Sequence, residues 1–331
     1  MRSMTARVGL IALWCAAAAS MPHADEQLTL TEIPLAAVVE NSSSGSGSSG
    51  PSSFMAASLA AAGGGPEAVE FDGTSVWVAA QFTNTVTRLD PMNGTVLGAV
   101  GVGKRPVALL RVQDTLWVAN LVSDTVTVLR TSDGAVVGEF PVGPAPGGLA
   151  FDGTNVWVAN RTSNTVSKVA PDGRVLATFK TGRRPLNIAF DGANLWVVNN
   201  LENTVSKMRP SDGAILATVR VGNGPFDILF DGTSIWVSNF FSGTVTRIRP
   251  SDGAVRDTFP TGDGAAGLAA DATTLFVANN GDSTVTRLDR QSGAVVATFA
   301  SGRGPFGIAF DGRNIWVANF GAGSVSTTLI R

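Results

Sequence analysis

The sequence repeats a unit of about 40 residues, and this periodicity constrains the fold more than any single residue does. One aromatic residue marks each copy, with successive spacings of 40, 40, 39, 40, 40 and 40 residues. The marking residues are Trp77, Trp117, Trp157, Trp196, Trp236, Phe276 and Trp316. A repeat of this length with four short strand-like runs is typical of a propeller blade. The sequence therefore predicts an all-β, seven-bladed β-propeller of four-stranded blades.

The fifth copy illustrates how one unit divides into strands. Its Asp-Gly pair, Asp231 and Gly232, favours a tight hairpin turn because glycine readily adopts positive φ and aspartate tolerates it. The run SIWVSN that follows is apolar on both faces, as expected for a strand in a sheet packed between two neighbouring sheets. From the inside of the ring outwards, the predicted strands of this blade cover residues 226–230, 234–239, 244–249 and 254–259.

The seventh copy ends at Arg331 after three of its four expected strands, which would leave an unpaired strand edge. Residues 54–62 stand in the same position relative to Pro66 as a fourth strand does relative to the loop proline of later copies. We therefore expect residues 54–62 to supply the outer strand of the last blade and to close the ring. Residues 28–39 are the competing candidate for this role.

The N-terminus has the pattern of a secretory signal peptide. Arg2 and Arg7 precede an apolar run at residues 8–19, and small residues follow. The run is too short to span a bilayer. Trp14 precedes Cys15, where a lipidated cysteine would follow a small residue, so we expect no lipid anchor. The pattern predicts an exported chain, periplasmic or extracellular.

These patterns divide the chain into three regions. Residues 1–24 are the predicted signal peptide. Residues 25–53 are predicted to be an N-terminal tether and linker, because residues 41–53 read NSSSGSGSSGPSS and such Ser/Gly tracts have no apolar surface to bury. Residues 54–331 form the predicted propeller.

Composition narrows the function classes. The one cysteine and the one histidine, Cys15 and His23, both lie within the predicted signal peptide, so we expect no disulfide and no imidazole base or ligand in the propeller. We therefore expect no catalytic residue, no metal site and no cofactor. The formal net charge is −2, which argues against nucleic acid as a partner.

The segment PFDILFDGTSIWVSNFFSGTVTRIRPSDGAV at residues 225–255 resembles the YVTN-type and NHL-like bacterial β-propellers. The resemblance covers residues 54–331 and implies the propeller fold. More distantly, the chain resembles the virginiamycin B lyase family of seven-bladed propellers, whose chemistry relies on a histidine and a bound divalent ion. That resemblance implies a substrate-facing funnel, although the predicted propeller has no histidine that matches the family's.

Ligands of propellers bind near the central axis. The loops that join one blade to the next, such as residues 221–225, and the loops after the second strand, such as residues 240–243, are expected at one end of the ring, which we call the funnel face. Positions where the repeat breaks are informative there, because packing makes similar demands of every blade. Two residues after the loop proline the copies carry Ala68, Ala108, Gly148, Asn187, Asp227, Gly267 and Gly307.

Asn187 and Asp227 are the polar exceptions in this series, and they lie on adjacent blades. Basic, acidic and aromatic residues are expected nearby, which is typical of a binding site. The predicted ligand-binding residues are Glu67, Arg161, Arg183, Arg184, Asn187, Phe226, Asp227, Phe240 and Phe241. The alternative interpretation is that Asp227 pairs with a neighbouring arginine and fills the funnel.

Charge is predicted to differ between the two ends of the ring. The acidic residues of the Asp-Gly turns fall at the end opposite the funnel face. Basic residues in funnel-face loops are Lys104, Arg105, Arg161, Arg183, Arg184 and Arg303. A locally positive funnel would favour an anionic ligand, whereas solvated loop residues are the simpler interpretation.

Two repeated polar positions also have competing interpretations. The asparagine that ends the second strand either lines a ring of amides or, as we favour, bonds to local backbone; it occurs at Asn120, Asn160, Asn199, Asn239, Asn279 and Asn319. The aspartate of each Asp-Gly turn is expected to form an Asx-turn and not a metal site.

The sequence thus predicts an exported, non-catalytic, monomeric scaffold that binds an anionic ligand, a glycan, a peptide or an envelope protein through its funnel face. A lyase or hydrolase of the virginiamycin B lyase kind is the alternative. No nucleic acid and no membrane span are expected.

Overall fold

A computed structural model of the chain describes residues 55–57 and 64–329, which form seven four-stranded antiparallel sheets. The inner strands of neighbouring sheets contact one another around the whole ring, including the first blade with the last. The predicted all-β, seven-bladed propeller is confirmed. The predicted signal peptide and linker lie outside the described residues.

The strands are numbered in chain order, and each blade is given from its innermost strand outwards. Blades one to three comprise β2 (Pro66–Phe71), β3 (Val76–Ala80), β4 (Thr85–Leu89) and β5 (Val96–Gly101); β6 (Pro106–Val112), β7 (Thr115–Asn120), β8 (Thr125–Arg130) and β9 (Val136–Pro141); and β10 (Pro146–Phe151), β11 (Val156–Asn160), β12 (Thr165–Val169) and β13 (Val175–Lys180).

Blades four to seven follow the same order. They comprise β14 (Pro185–Phe190), β15 (Leu195–Asn199), β16 (Thr204–Met208) and β17 (Ile215–Arg220); β18 (Pro225–Phe230), β19 (Ile235–Asn239), β20 (Thr244–Ile248) and β21 (Val255–Pro260); β22 (Ala265–Ala270), β23 (Thr274–Asn279), β24 (Thr284–Asp289) and β25 (Val295–Ala300); and β26 (Pro305–Phe310), β27 (Asn314–Asn319), β28 (Ser324–Leu329) and β1 (Met55–Ala57). Within the described residues, a 3-10 turn at Phe320–Ala322 follows β27.

The last blade is closed by the N-terminal segment. β1 pairs antiparallel with β28, so that Met55 lies opposite Thr327 and Ala57 lies opposite Val325. This confirms the prediction that residues 54–62 supply the missing outer strand. The competing segment, residues 28–39, lies outside the described residues.

The second strand of each blade forms the core between sheets. Trp196 of β15 is fully buried and packs with Ile228, Ile235 and Val237 of the next blade. Both faces of this strand are covered by neighbouring blades, which explains why it carries no polar face. Among the described residues, no helix has the length and apolar character needed to span a bilayer.

The Asp-Gly turns fix the inner hairpins. In blade three, Oδ1 of Asp152 accepts the backbone N–H groups of Thr154 and Asn155 at 2.8 and 2.7 Å, which confirms the predicted Asx-turn. Oδ2 accepts the indole N–H of Trp157 at 2.7 Å, a bond that was not predicted. Burial acts to raise the pKa of Asp152, but these hydrogen bonds outweigh it and hold the pKa below its usual value.

The same aspartate–indole bond recurs in four other blades. The pairs are Asp72–Trp77, Asp191–Trp196, Asp231–Trp236 and Asp311–Trp316. In blade six the aromatic is Phe276, which has no N–H, and Oδ2 of Asp271 accepts the Thr274 hydroxyl at 2.6 Å instead. The turn aspartate therefore satisfies a polar group of its hairpin in each of these six blades.

Basic residues of the third strand tie adjacent blades together. Lys207 lies over the ring of Trp196, with 5.4 Å between Nζ and the ring centroid, and donates to the carbonyl of Pro250 in the next blade at 2.6 Å. Arg88 and Lys168 likewise reach a carbonyl in the third-to-fourth-strand turn of the next blade. These cations act mainly as links between blades.

Candidate functional site

The two loop sets of the predicted funnel face lie side by side. The backbone N–H of Phe240, after β19, donates to the carbonyl of Gly224, before β18, at 2.9 Å. Leu121 and Arg105 make the equivalent bond in blade two, also at 2.9 Å. The residues on these loops are therefore presented together at one end of the ring, as predicted.

Four exposed apolar side chains occupy the same position in the loop after the second strand. They are the second residue after that strand and have exposed fractions between 54% and 62%. We call this set the apolar rim: Phe82, Val122, Leu201 and Phe241. Of these, only Phe241 was among the predicted binding residues.

Six phenylalanines form a continuous path of ring contacts across the funnel face. Neighbouring centroids along this path are 5.5 to 5.8 Å apart. We call the path the aromatic strip; in order it contains Phe241, Phe240, Phe226, Phe306, Phe320 and Phe82. The two ends of the strip, Phe241 and Phe82, belong to the apolar rim and are exposed, whereas Phe240 and Phe306 within the strip are buried. The strip therefore connects blade five to blade one through blade seven.

Glycine permits the aromatic strip at its two ends. Gly65 and Gly224 precede the loop proline and adopt φ of 60° and 62°. A Cβ on Gly65 would lie 2.5 Å from the Phe320 ring, and one on Gly224 would lie 2.3 Å from the Phe241 ring. Positive φ and this close approach both favour glycine. The rings thus lie directly over the backbone of the loop.

A central cavity of about 380 Å³ lies on the axis, lined by the inner strands of all seven blades. Of the predicted binding residues, it brings together Glu67, Arg161, Asn187, Phe226 and Asp227. The other four predicted residues do not line it: Arg183, Arg184, Phe240 and Phe241. The predicted site is therefore divided between the cavity and the rim of the funnel face.

Asn187 and Asp227 hold blades together. The Asn187 amide donates to Oδ1 of Asp227 at 2.5 Å, and the other carboxylate oxygen accepts the backbone N–H of Leu268 at 2.8 Å. The N–H of Ile228 also donates to Oδ1. These contacts link blades four, five and six, and they join Asp227 to an amide and to backbone N–H groups, where the alternative interpretation had an arginine. Burial raises the pKa of Asp227 to about 6 although these hydrogen bonds act to lower it.

Glu67 is an incompletely satisfied polar group of the cavity. It is 6% exposed, and its Oε2 has no hydrogen-bond partner among the described residues. Burial raises its pKa to about 7, opposed by the positive charges of Arg161 and Arg105. Glu70, three residues further along β2, also has its pKa raised to about 7 by burial, opposed by Arg111.

The funnel face carries both signs of charge. Lys104 and Arg183 are exposed, as expected for a basic face. Glu202, Asp263 and Asp282 are exposed on the same face, and the sequence analysis did not include them. The described surface is therefore mixed, which weakens the argument for an anionic ligand.

The asparagines that end the second strand are buried and do not line a ring of amides. Asn160 donates from Nδ2 to the hydroxyls of Thr165 and Ser167, at 3.0 and 2.9 Å. Our favoured interpretation, a bond to local backbone, was therefore wrong about the partner. The strand register places Thr165 opposite Asn160, which brings the hydroxyl within reach.

Within the described ranges, no group of three or more His, Cys, Asp or Glu side chains is arranged to hold a metal ion.

The sequence analysis did not identify five residues of the apolar rim and aromatic strip: Phe82, Val122, Leu201, Phe306 and Phe320. The signal was available: aligning the copies puts an apolar residue at the same loop position in four blades.

Solved structures share this fold. A hydrazine synthase chain from Kuenenia stuttgartiensis is 21% identical, with a TM-score of 0.72 over 80% of this chain and 96% of that chain. A streptogramin B lyase is 16% identical, with a TM-score of 0.74 over 84% and 98%. A catalytically inactive virginiamycin B lyase from Staphylococcus aureus with quinupristin is 18% identical, with a TM-score of 0.74 over 84% and 99%.

At these identities the likeness shows the β-propeller fold alone. No family model matches the sequence. No curated protein matches it either.

Proposed function

We propose that this chain is an exported, non-catalytic propeller of the YVTN-type and NHL-like kind that binds a protein or peptide through its funnel face. The apolar rim and the aromatic strip carry the proposal. Exposed apolar side chains gathered on one loop position of one face are typical of an interaction surface. The basic, apolar and small-residue pattern of residues 1–24 supports export.

The chemistry of the rim favours a protein or peptide over a glycan. Val122 and Leu201 offer neither a flat ring for stacking on a sugar nor a hydrogen-bonding group. Phe82 and Phe241 are aromatic anchors of the kind enriched at protein interfaces, and both rest on a packed strip that holds them in place. The mixed charges around them would form the polar border of such an interface.

This assignment changes the role of two predicted site residues. Asn187 and Asp227 use their hydrogen-bonding groups on each other and on the backbone, so they contribute structure to the face and not contacts to a partner. The predicted residues that lie in funnel-face loops and do not line the cavity are Arg183, Arg184, Phe240 and Phe241. The lyase alternative shares only the fold with this chain, and the propeller sequence has no histidine to supply a base or a ligand.

A peptide library displayed on phage tests the proposal. Peptides selected on the purified protein are expected to lose about 10- to 100-fold in affinity for a Phe82→Ser/Phe241→Ser variant, because aromatic anchors contribute most of the binding energy at interfaces. A Val137→Ser/Val296→Ser variant is the matched control, since these valines are 57% and 54% exposed and lie on outer strands. Its affinities should equal those of the wild type.

Two results would contradict the proposal. One is the failure of the wild-type protein to enrich any peptide. The other is an equal loss of affinity in the rim variant and the outer-strand control, which would mean that binding follows general surface hydrophobicity.

A further inference from the structure

The central cavity has the size and lining of a small-molecule site. Its volume of about 380 Å³ is at the lower end of the range for ligand pockets, roughly 300 to 1,000 Å³. Most of its lining residues are apolar, among them Leu109, Ile188 and Ile308 of the inner strands, while polar and apolar atoms share the exposed wall about equally. The polar side chains of the lining are few, as in most ligand sites.

The charged groups of the lining are unbalanced. Three carboxyl groups, from Glu67, Glu70 and Asp227, face the cavity together with one guanidinium, from Arg161. Asp227 is already bonded through both of its carboxylate oxygens. Glu70 receives a backbone hydrogen bond from Arg111. Glu67 is therefore the group with remaining capacity to accept a hydrogen bond.

Glu67 is also positioned for a ligand. More than nine-tenths of this residue is buried, and Oε2 has no hydrogen-bond partner among the described residues. A buried acceptor that stays unsatisfied destabilises the fold. Two positive charges act to lower the pKa of Glu67, and that of Arg105 has the smaller effect. Arg105 donates from Nε to the side-chain carbonyl of Gln81 at 2.6 Å.

We propose that the central cavity binds a small organic cation, a primary amine with a compact apolar body, whose ammonium group donates a hydrogen bond to Oε2 of Glu67. The excess of carboxyl groups favours a positive charge, and an ammonium supplies the N–H donor that Oε2 of Glu67 lacks. The apolar body would pack against the aliphatic wall. An anion would face three carboxyl groups.

The surrounding charges make binding depend on pH. Glu67 faces Arg161 and Arg105, which favour its ionised form, while burial favours the neutral form and raises its pKa to about 7. Asp227 of β18 and Glu70, which lies on β2 with Glu67, also line the cavity, and burial raises the pKa of both, opposed at Glu70 by Arg111. A bound cation stabilises the ionised carboxylates, so it should release protons and bind more tightly at pH 8 than at pH 5.

Calorimetric titration with 2-phenylethylamine, cyclohexylamine and butylamine tests the site, with 2-phenylethanol as the uncharged probe. We expect at least one amine to bind the wild type, and 2-phenylethylamine to bind about 10-fold more tightly than the alcohol. Glu67→Gln should weaken amine binding about 10-fold and leave the alcohol unchanged, because only the charge is lost. Titration in two buffers of different ionisation enthalpy should show proton release that is smaller in Glu67→Gln.

Matched variants keep the test decisive. Glu67→Leu replaces Glu67→Gln if the amide variant does not fold. Asp133→Asn changes an exposed carboxyl group at the opposite end of the ring, and this variant should bind amines as the wild type does. The Phe82→Ser/Phe241→Ser variant should also bind amines normally, which separates this site from the funnel-face surface. Binding of no amine, equal affinity for amine and alcohol, or unchanged binding in the Glu67 variant would each overturn the proposal.

Discussion

Single aspartates do two tasks in this propeller. One carboxylate oxygen of Asp152 closes an Asx-turn on backbone N–H groups, and the other accepts the indole N–H of Trp157. The indole lies in the core between blades, where an unpaired N–H would be costly. The repeated Asp-Gly turn is therefore tied to the repeated tryptophan by chemistry as well as by spacing.

Replacing Asp152 with alanine tests this coupling. The variant leaves the indole N–H of Trp157 and two backbone N–H groups without their acceptors, so we expect the free energy of unfolding to fall by roughly 2 kcal/mol. Urea denaturation followed by tryptophan fluorescence measures it. Asp133→Ala is the control, because that side chain is half exposed and has no indole partner among its hydrogen bonds; a change of about 0.5 kcal/mol or less is expected there. Equal losses in the two variants would refute the coupling.

At this scale the sequence predicted the Asx-turn but not the indole bond. Asp-Gly is a local turn signal, whereas the contact from Asp152 to Trp157 depends on how the hairpin folds back. The asparagine partners were missed for the same reason. Thr165 and Ser167 reach Asn160 only through the strand register, although hydroxyl residues recur at the same distances from the asparagine in all six copies that have it.

Among the described strands, β1 pairs with the partner that is most distant from it in sequence. It consists of three residues, yet it supplies the outer edge of the last blade by pairing with β28. Without it β28 would be an unpaired edge, which is a site for association with other chains. Closure of the ring thus depends on a short strand contributed by the other end of the chain.

Deleting residues 1–63 should therefore destabilise the propeller. We expect the melting temperature to fall by roughly 5 °C, because one strand of hydrogen bonds and burial is lost from the last blade. Differential scanning calorimetry measures it, and a deletion of residues 1–53, which keeps β1, is the control. If both deletions melt together, β1 contributes nothing to closure.

The strand boundaries were predictable to about one residue. In blade five the predicted third and fourth strands, 244–249 and 254–259, are observed as Thr244–Ile248 and Val255–Pro260. The closing segment was less well bounded, because residues 54–62 are rich in alanine and glycine follows them, so their composition does not show where pairing begins. Of that segment, the described strand is Met55–Ala57.

Over the described part of the molecule, carboxyl groups affected by burial fall into two populations with opposite effects on stability. Hydrogen bonds hold the pKa of turn aspartates such as Asp72 and Asp152 below its usual value, against the effect of burial. Burial raises the pKa of the cavity carboxyls, to about 7 for Glu67 and Glu70 and about 6 for Asp227. The first population stabilises the fold when ionised, and the second when protonated.

Stability should therefore be greatest on the acid side of neutrality. As pH falls from 8 to about 5, the cavity groups take up protons that the unfolded chain does not yet bind, so the free energy of unfolding should rise. Below about pH 4 the turn aspartates become protonated and it should fall. Urea denaturation at several pH values measures this, and Glu67→Gln should flatten the rise. Stability that increases steadily from pH 5 to pH 8 would contradict the assignment.

The funnel face shows where prediction from the sequence stops. Repeats predict what every blade shares, so the ring, its core and the two ends were foreseeable. Contacts between blades that are distant in sequence, such as Phe226 with Phe306 across the axis, follow only from ring closure. The division of the predicted residues between cavity and rim could not be read from the chain for the same reason.

The pairing of β1 with β28 also sets the order of events as the chain is made. Ala57 and its partner Val325 are separated by 268 positions (325 minus 57), nearly the full length of the propeller. On a ribosome the N-terminal strand is complete first and meets its partner last, after every other blade has its residues. Such distant contacts slow folding, and until the final strand arrives the first and last blades each present a face that has no neighbour. The same pairing that seals the finished ring thus leaves the growing one open for the whole of its synthesis.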